Sequence, residues 1–536
     1  MEKTLLIIAL LFFTSVFCKA QVEPFTRTYD IYPGWTSEEL VSIEKTSDDG
    51  YIVAYNQYQS FDHRTSILKL NKYGDIEWHR VLDEEEFPEA ISTSVCIDND
   101  NNYYLAGYYT KLYFPTLWNV QNGFVAKYNS DGDYIWGKAY GTMPMHETDS
   151  SFSAESVYDI IAYDSNMLIV AGAENYCPER EIYFWGMPWL FAIDTDGNLL
   201  WEWNDCTNNV HMLMFGNFFG VTKTDNGNIV AAGELARQRI VGNNAAPVDR
   251  LGFIGVFDAN GELQKRRSWN FLKNVSIFYD VKSLWNNDVA IVAYTADTLV
   301  YEGDKKERLS VIVFDEELEE RFQYNINVGG QGGLAKISVD SDTNIFIVGA
   351  TVPFLLYSKS ENTNNMFLAK FNKKAELIWK KYIGADSSQF ALSQMDVVAD
   401  NDGGVSCSSL YENFNTNKAG SFLYKINENG NGVFELSTFP YPDDDEYIIY
   451  NQNPIETINV VDIYPNPATN ELIIKLPNSF YGAKASLINL SGRTVCTANI
   501  DNLVNYIDIQ IFPNGIYLLK IETERTYLYK KIVICK

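Results

Sequence analysis

Aromatic and basic side chains suited to holding a carbohydrate gather in two segments, KLYFPTLW (111–118) and NYCPEREIYFWGMPW (175–189). Trp and Tyr present flat apolar faces with a polar edge, and an Arg can fix a polar substituent of a ligand. The alternative is that these aromatic side chains pack the two segments onto the body of the fold. The residues that we predict to contact a ligand here are Trp118, Arg180, Tyr183, Trp185 and Trp189.

Histidine is scarce, with four residues in 536, and His63, His146 and His211 fall in segments of the same kind. A His beside a Tyr or Glu can transfer protons, although ordinary surface histidines look the same in a sequence. We include His146 and His211 among the predicted ligand contacts and assign no catalytic residue. No GxSxG, HExxH, CxxC, phosphate-loop or dinucleotide pattern occurs, so we predict no metal and no other cofactor.

A short pattern recurs seven times and includes KYNSDGDYIW (127–136), whose two Asp residues around a Gly resemble a calcium loop. Asn or Asp always follows an apolar anchor residue, Gly comes three positions later in five copies, and Trp usually stands four positions after that. Asx and Gly form turns, whereas Asp131 gives way to Tyr73 and Lys374 in other copies. We therefore predict a hairpin turn and no calcium site. The anchors are Leu70, Tyr128, Ile193, Phe257, Phe314, Phe371 and Ile426.

Each anchor belongs to a unit that reads as four antiparallel strands. Runs such as ISTSVCI (91–97) and YYLAG (103–107) flank a polar turn, and the anchor strand, its hairpin turn and a last strand follow them. Successive anchors are 55 to 65 residues apart. This repeat predicts an all-β fold, a seven-bladed β-propeller over residues 21–440. We expect the Trp and Phe of the outer strands to fill the gaps between blades.

Two segments are candidates for the strand that completes the ring. PFTRTYDIYPG (24–34) resembles the last strand of other units, and GVFELST (432–438) would give the seventh unit a last strand of its own. Both alternatives stay open on the sequence alone, as does an eighth, irregular blade.

Antiparallel topology divides the loops between two faces of such a ring. Turns joining strands one and two, and three and four, are short and alike. Loops joining strands two and three, and the connections between blades, lie on the opposite face and vary in length and composition. Variable loops on a rigid scaffold commonly carry binding sites, so we place the ligand site on this variable face.

The repeats resemble the degenerate propeller repeats common in exported Bacteroidetes proteins, and the anchor-to-Trp hairpin is similar to the quinoprotein-type propeller repeat. The resemblance spans Val22 to about Pro440 and implies a fold only. It is not the sialidase Asp-box, because the step from Gly132 to Trp136 is four positions where that motif has three.

The C-terminal part of the chain has a different pattern. Residues 441–459 are polar and acidic and predict a linker, and residues 460–536 alternate as short strands, which predicts a small Ig-like β-sandwich. This tail resembles the C-terminal (Por) sorting domain of the type IX secretion system of Bacteroidetes. The resemblance implies contact with the secretion machinery, removal of the tail after export, and release or attachment to surface lipopolysaccharide; the alternative is an ordinary accessory domain. The matching motifs are YPNPA (464–468), SGR (491–493), NGIY (514–517) and KIV (531–533).

Residues 1–20 read as a secretory signal peptide, with a charged start, an apolar run from Thr4 to Phe17 and a small Ala20. Cys18 raises a lipoprotein alternative, which the bulky Phe17 disfavours. We predict a secreted or surface-attached protein with no transmembrane segment. A net charge of −28 disfavours nucleic acid as a partner.

Six cysteines follow the signal segment. An exported chain permits disulfides, and we consider the pairs Cys177–Cys206 and Cys496–Cys535. Cys96 and Cys407 lie in apolar runs and read as buried thiols. We interpret the acidic runs 83–86, 315–320 and 442–446 as solvated charge.

The leading hypothesis is a binding module for a glycan or a protein, without catalysis. The alternatives are a carbohydrate-active enzyme on the propeller scaffold, such as a polysaccharide lyase or hydrolase, and a structural surface protein. An enzyme requires titratable groups with perturbed pKa values around the central channel. A binding module requires an accessible aromatic patch instead.

Overall fold

The structure of the chain is a computed structural model. It describes residues 22–29, 31, 37–59, 62–113, 118–141, 155–177, 182–205, 214–241, 244–269, 275–296, 307–327, 335–350, 366–383, 390–413, 418–432, 446–449, 462–465, 467–475, 483–489, 493–500, 504–522 and 527–536. The predicted signal peptide lies outside these residues.

The strands between Phe25 and Ile426 divide into seven four-stranded antiparallel units. The first four units comprise β2 (Ser37–Lys45), β3 (Tyr51–Gln59), β4 (Asp62–Leu70) and β5 (Ile76–Val81); β6 (Ile91–Ile97), β7 (Tyr103–Tyr113), β8 (Trp118–Tyr128) and β9 (Tyr134–Tyr140); β10 (Ser156–Ala162), β11 (Met167–Cys177), β12 (Ile182–Asp194) and β13 (Leu199–Asn204); and β14 (Met214–Lys223), β15 (Ile229–Val241), β16 (Asn244–Phe257) and β17 (Leu263–Trp269). The last three comprise β18 (Val275–Ser283), β19 (Val289–Ala296), β20 (Glu307–Phe314) and β21 (Glu320–Asn327), with a 3-10 turn at Trp285–Asn287; β22 (Ala335–Val339), β23 (Ile345–Ala350), β24 (Met366–Phe371) and β25 (Leu377–Ile383); and β26 (Phe390–Ala399), β27 (Val405–Asn413), β28 (Lys418–Ile426) and the N-terminal β1 (Phe25–Tyr29).

The first strands of the units form the inner wall of a closed ring. Each contacts the first strand of the next unit, in the cycle β2, β6, β10, β14, β18, β22, β26 and back to β2. The described ranges contain no α-helix. The all-β propeller prediction is therefore confirmed, and the seven units agree with the seven blades expected from the repeat.

The ring is completed by the N-terminal strand. β1 pairs antiparallel with β28, with Phe25 opposite Lys425 and Tyr29 opposite Ser421. It supplies the outer strand of the last blade, which is the first of the two alternatives that the sequence left open. The chain ends of the propeller are thus held in one sheet, and opening the ring requires breaking this ladder.

The recurring Asx-Gly pattern forms the same hairpin turn in each blade. In the second blade the side-chain oxygen of Asn129 accepts hydrogen bonds from the backbone N–H groups of Asp131 and Asp133. Gly132 takes the left-handed conformation at φ 80°. In the two blades that lack this Gly, Leu318 and Ala375 take positive φ angles instead. The turn prediction is confirmed, since the Asx oxygens are occupied by backbone N–H groups.

The outer-strand Trp of one blade packs beneath the turn of the next blade. A Cβ built on Gly132 would lie 2.9 Å from the ring of Trp78, and Gly197 and Gly261 meet Trp136 and Trp201 in the same way. The indole N–H of Trp136 donates to the Thr195 carbonyl at 3.1 Å, and this bond recurs in other blades. At the ring closure, Phe25 of β1 takes this place against Gly74. The expectation that these aromatics fill the gaps between blades is confirmed.

Between blades four and five, charged side chains stand at the outer-strand position where the other blades have an aromatic residue. Lys265 stands in the Trp position, and its ammonium lies 2.7 Å from Glu317. Arg267 pairs with Glu319 and Glu320 at 3.2 and 2.9 Å. The acidic run 315–320 therefore joins two blades, and its interpretation as simple solvated charge is wrong for these Glu residues.

A short strand lies within the predicted linker. β29 (Glu446–Ile449) pairs antiparallel with the outer strand β21, with Ile449 opposite Phe322. An outer strand offers a row of unpaired backbone groups, and an apolar, β-branched segment such as YII suits that edge. The linker thus adds a fifth strand to blade five.

The tail forms a two-sheet sandwich with a core of its own. One sheet contains β30 (Asp462–Tyr464), β31 (Glu471–Lys475) and β34 (Val504–Asp508), and the other contains β32 (Ala483–Asn489), β33 (Thr494–Ile500), β35 (Gly515–Glu522) and β36 (Tyr527–Ile534). Leu472 and Ile507 of the first sheet are buried against Leu487 and Leu519 of the second. Ala468 of the YPNPA motif bonds through its N–H to the carbonyl of Val533. The motif thus fastens the start of the domain to its last strand.

The cysteine predictions have mixed outcomes. Cys96 and Cys407 are buried free thiols, as expected. Cys496 and Cys535 are also free, so the pairing considered for them does not occur in this structure. Cys496 lies on β33 at one edge of the four-stranded sheet and Cys535 follows β36 at the other edge, three strand spacings of about 4.8 Å away. A disulfide spans no more than about 7 Å between Cα atoms. The pair Cys177–Cys206 lies outside the residues whose side chains are described.

We expect Gly132→Ala to lower the free energy of unfolding by roughly 2–4 kcal/mol. A residue other than Gly with positive φ costs about 1–2 kcal/mol, and the added methyl group would displace the Trp78 ring from the contact between blades one and two. Denaturant titration followed by Trp fluorescence measures this difference.

Gly403→Ala is the matched control for backbone strain. Gly403 has φ 84°, but a Cβ built there meets its nearest atom only at 3.6 Å. This variant should therefore lose only the conformational part of the stability. Equal losses in the two variants would show that the Trp78 contact contributes nothing to joining the blades.

Candidate functional site

The inner strands line a central channel, and a β-bulge shapes most of them. The register shifts between Val157 and Asp159 in β10, between Phe278 and Asp280 in β18, and at the equivalent positions of β2, β6, β14 and β26. A bulge adds a residue to one strand and re-aims the neighbouring side chains. At the bulges, two successive residues of an inner strand therefore face the channel. Across the blades these residues form two layers, one aromatic and one charged.

Three aspartates of the charged layer join neighbouring blades. Asp159 accepts hydrogen bonds from the N–H of Ile160 in its own strand and from Val221 of the next blade, both at 2.9 Å. Asp280 bonds to Val281 and Ile337, and Asp396 to Val397 and Ile43, in the same pattern. In the first blade, Ser42 accepts from Val95 of the second blade at the corresponding position. These carboxylates are thus engaged in holding the ring together.

Two lysines and a glutamate complete the charged layer. The ammonium group of Lys336 lies 4.0 Å from Asp280. Burial tends to lower the pKa of Lys282, but the carboxylates of Asp280, Asp159 and Glu44 outweigh it and raise this pKa. Burial in the channel raises the pKa of Glu44 to about 7, against the opposing effect of Lys282. The group lines a polar cavity of about 30 Å³.

An arc of aromatic side chains lies just beyond this layer, towards the variable face. Tyr158, Phe219 and Tyr279 stand one residue before Asp159, Gly220 and Asp280 on three consecutive blades, and all three are half-buried. The ring centroids of Tyr158 and Phe219 are 5.2 Å apart, and those of Phe219 and Tyr279 are 6.5 Å apart. We call this arc, with the neighbouring Tyr108, Tyr294 and Arg250, the channel mouth.

A charged pair lies at one side of the channel mouth. Arg250 of β16 binds both carboxylate oxygens of the buried Glu234, at 2.6 and 2.7 Å. Burial tends to lower the pKa of Arg250, and Glu234, with smaller effects of Tyr279 and Tyr294, raises it. The guanidinium is partly exposed beside these tyrosines. The mouth therefore offers aromatic faces, phenol groups and an oriented cation close to one another.

A second polar chain lies on blade one. Tyr58 of β3 is hydrogen-bonded to Glu39 and lies near Tyr108. His63, opposite Tyr58 on β4, packs edge-on against its ring with centroids 5.1 Å apart. Among the three variable-face histidines singled out in the sequence, His63 is thus placed beside a Tyr that is bonded to a carboxylate.

Most of the side chains that we predicted to contact a ligand cannot be placed. Arg180, His146 and His211 lie outside the described residues. Trp118 begins β8, and Tyr183 and Trp185 lie near the start of β12. Backbone register places Trp118 opposite Tyr113 and Tyr183 opposite Tyr176, at the variable-face ends of two hairpins. The backbones of these residues thus lie on the variable face, and their side chains lie outside the described part of the structure.

Trp189 differs from the expectation that it is accessible to a ligand. It is 1% exposed, lies 4.3 Å from the ring of Phe191, and donates its indole N–H to Glu202 at 2.6 Å. The reason is that β12 begins at Ile182, so the segment read as a loop is mainly a strand that directs Trp189 between blades two and three. Trp189 is a core residue in this structure.

Sequence reasoning missed the channel mouth and the charged layer, although a signal was present. VYD (157–159), FFG (218–220) and FYD (278–280) recur about one unit apart at the same position of the inner strand. An Asp in an otherwise apolar inner strand requires a hydrogen-bonding partner. That requirement marks the residues that face the channel.

Two further observations bear on the class of site. Among the described residues, no group of three or more His, Cys, Asp and Glu is arranged to hold a metal ion. Within the same ranges no helix has the length and apolar character needed to cross a membrane.

Comparison with known proteins supports the reading of the tail. Residues 462–535 match the family model of the secretion system C-terminal sorting domain. A search of curated proteins finds no match to the chain.

Solved structures that a structural search lists as similar to the chain include PorZ of Porphyromonas gingivalis, a bacterial surface component of the type IX secretion system. It matches at 10% identity and a TM-score of 0.20, over 93% of this chain and 81% of that one. An ulvan lyase of polysaccharide lyase family 25 matches at 9% identity and a TM-score of 0.44, over 75% of this chain and 96% of that one. An α-L-arabinanase of Penicillium chrysogenum matches at 9% identity and a TM-score of 0.38, over 76% and 98% of the two chains. Likeness at this level transfers no ligand or reaction to the chain.

The fold and the tail define the class of protein. The chain is an exported β-propeller protein that carries a type IX secretion sorting domain at its C-terminal end. This domain directs it out of the cell, to the surface or the medium, and the chain is consistent with the exported propeller proteins of the Bacteroidetes.

We expect Glu44→Gln to flatten the dependence of stability on pH. The folded pKa of about 7 lies above the ordinary Glu value of 4.5, so the folded state keeps a proton that the unfolded state loses between these values. The contribution of Glu44 to stability is complete below pH 4.5 and is lost as the pH rises through 7. Denaturation midpoints at pH 5, 6, 7 and 8 test this. The midpoint of the variant should rise relative to that of the parent as the pH increases.

Glu262→Gln is the control, because Glu262 lies exposed on a hairpin turn away from the channel. Its midpoints should run parallel to those of the parent. Parallel curves for Glu44→Gln as well would mean that the Glu44 carboxyl titrates like a solvated one.

Proposed function

We propose that the chain is an exported binding module that holds a glycan at the channel mouth. The observation that carries this proposal is the arc of half-buried aromatic side chains on three consecutive blades, Tyr158, Phe219 and Tyr279. Sugar rings have apolar faces and polar edges, and an aromatic surface edged with phenol groups and an oriented guanidinium matches both. The predicted contacts Trp118, Tyr183 and Trp185 would extend this surface on blades two and three.

The three aspartates of the charged layer support binding over catalysis. A catalytic carboxylate needs an oxygen that is free to contact the substrate. Asp159, Asp280 and Asp396 each direct both oxygens to backbone N–H groups of two blades. Their geometry fits a role in holding the ring together beneath the mouth.

Two observations favour an enzyme as the second candidate function. The first is Glu44, whose pKa is raised to about 7 and which lines the channel cavity together with Lys282 and Asp280, as the titratable groups of an enzyme would. The second lies on blade one. His63 packs edge-on against Tyr58, which is hydrogen-bonded to Glu39, so three groups of the types used in general acid–base catalysis lie together beside the mouth. A polysaccharide lyase or hydrolase would use such groups at a substrate held by the aromatic arc.

We expect Tyr279→Ala to weaken glycan binding by the full chain at least tenfold. Aromatic anchors at the centre of an interface commonly contribute more than about 1.4 kcal/mol, which is a factor of ten in affinity. A polysaccharide array identifies the ligand, and calorimetry with that ligand compares the variants. Trp185→Ala tests whether the hairpin end of blade three belongs to the same site.

Trp285→Ala is the matched control, because Trp285 is an aromatic side chain 51% exposed in the turn between strands one and two of blade five, on the opposite face. It should bind like the parent. Retention of an intact polysaccharide by the parent supports the binding module. Shortened products would favour the enzyme, and the variants His63→Ala and Tyr58→Phe would then be assayed for loss of cleavage. If no glycan binds, the proposal is contradicted, and a protein ligand or a structural role takes its place.

A further inference from the structure

We propose that the tail docks onto the export machinery through the outward face of its four-stranded sheet. The contact residues are Ile488, Ile516, Leu518 and Val533, which we call the tail strip. The partner surface that fits them is apolar with an acidic rim.

Strand register makes the tail strip continuous. Ile488 of β32 lies directly opposite Leu518 of β35. Ile516 of β35 lies opposite Val533 of β36. Residues of β35 alternate between the two faces of the sheet, so Tyr517 and Leu519 enter the core while Ile516 and Leu518 face outwards. Three neighbouring strands thus contribute to one apolar surface.

The strip is exposed where polar residues are the usual choice. Ile516 and Leu518 are each 41% exposed on β35, a central strand of the sheet. The solvent side of an antiparallel sheet normally carries polar side chains, and adjoining exposed apolar residues mark interaction sites. The core of the domain lies on the other side and includes Leu472, Leu487 and Ile521. The strip therefore has no part in that core.

The distribution of charge favours a partner that carries acidic groups. Residues 460–536 contain eight Lys and Arg against six Asp and Glu, whereas residues 1–459 contain 34 against 64. Lys531 lies opposite Leu518, and Lys520 stands two residues along the same strand, so cations border the strip. A partner with an acidic rim would attract the tail and repel the propeller. The machinery would thereby select the sorting domain without engaging its cargo.

The test follows export of the full chain from a bacterium that carries type IX secretion. We expect the double variant Ile516→Ser/Leu518→Ser to lower the exported fraction at least tenfold, with folded protein accumulating in the periplasm. Lys520→Glu/Lys531→Glu should lower it several-fold, because like charges would meet at the rim. The readouts are the protein in the medium and on the protease-accessible surface, against protein retained inside.

Tyr506→Ser is the matched control, because Tyr506 is 64% exposed on the other sheet of the same domain. It should be exported like the parent. Protease resistance of the periplasmic protein shows that each variant is folded, and Leu518→Thr replaces the double variant if that one is not. Normal export of a folded strip variant overturns the proposal, as does an equal loss in Tyr506→Ser. Neither outcome bears on glycan binding at the channel mouth.

Discussion

The whole propeller depends on a single constraint: each four-stranded sheet has two apolar faces, and only another sheet of the same kind can cover them. At five of the seven blade boundaries the chain meets this constraint with the same contact, an outer-strand aromatic beneath the turn Gly of the next blade. The Gly is required twice over, because the turn needs a positive φ and because the ring above it leaves no room for a Cβ. Phe25 extends this contact across the junction between the two ends of the propeller.

Closing the ring brings the inner strands together around an axis and determines what the channel can do. Backbone N–H groups freed by the bulges need acceptors, and Asp159, Asp280 and Asp396 supply them across blade boundaries. Charges at such close quarters need compensation, which Lys282 and Lys336 provide. These three carboxylates are therefore engaged by backbone N–H groups, whereas Glu44 lines the channel cavity with a raised pKa. At the mouth, Tyr158, Phe219 and Tyr279 stay partly exposed, which is the basis of our proposal that a ligand binds there.

Features that depend on residues close together in the sequence could be predicted from it, and features that depend on contacts between distant residues could not. The Asx-Gly turn depends on residues within five positions of each other, and the seven copies establish it without any structure. The ring closure by β1 was suggested by likeness to other outer strands. Trp189 was misplaced because an aromatic, β-branched run resembles a loop rich in binding residues until its pairing with β11 is known. The pairing of Cys496 with Cys535 stayed open on the sequence for a similar reason, since only the strand order of the sheet shows how far apart the two residues lie. The channel mouth depends on contacts between blades, about 60 residues apart in the chain, and those appear only in the assembled ring.

Export requires a surface that the machinery can bind, and the propeller does not supply one under our proposal. Residues 1–459 carry 30 more acidic than basic groups, so their surface would repel a partner with an acidic rim. The tail separates recognition from this surface, because it has its own core and a slight excess of positive charge. Its motifs serve that independence: Ala468 of YPNPA is bonded to the last strand, and the hydroxyl of Tyr517 in NGIY donates to the Pro513 carbonyl. Stability of the sandwich thus rests on the inward residues, and the outward face of its larger sheet is left for recognition.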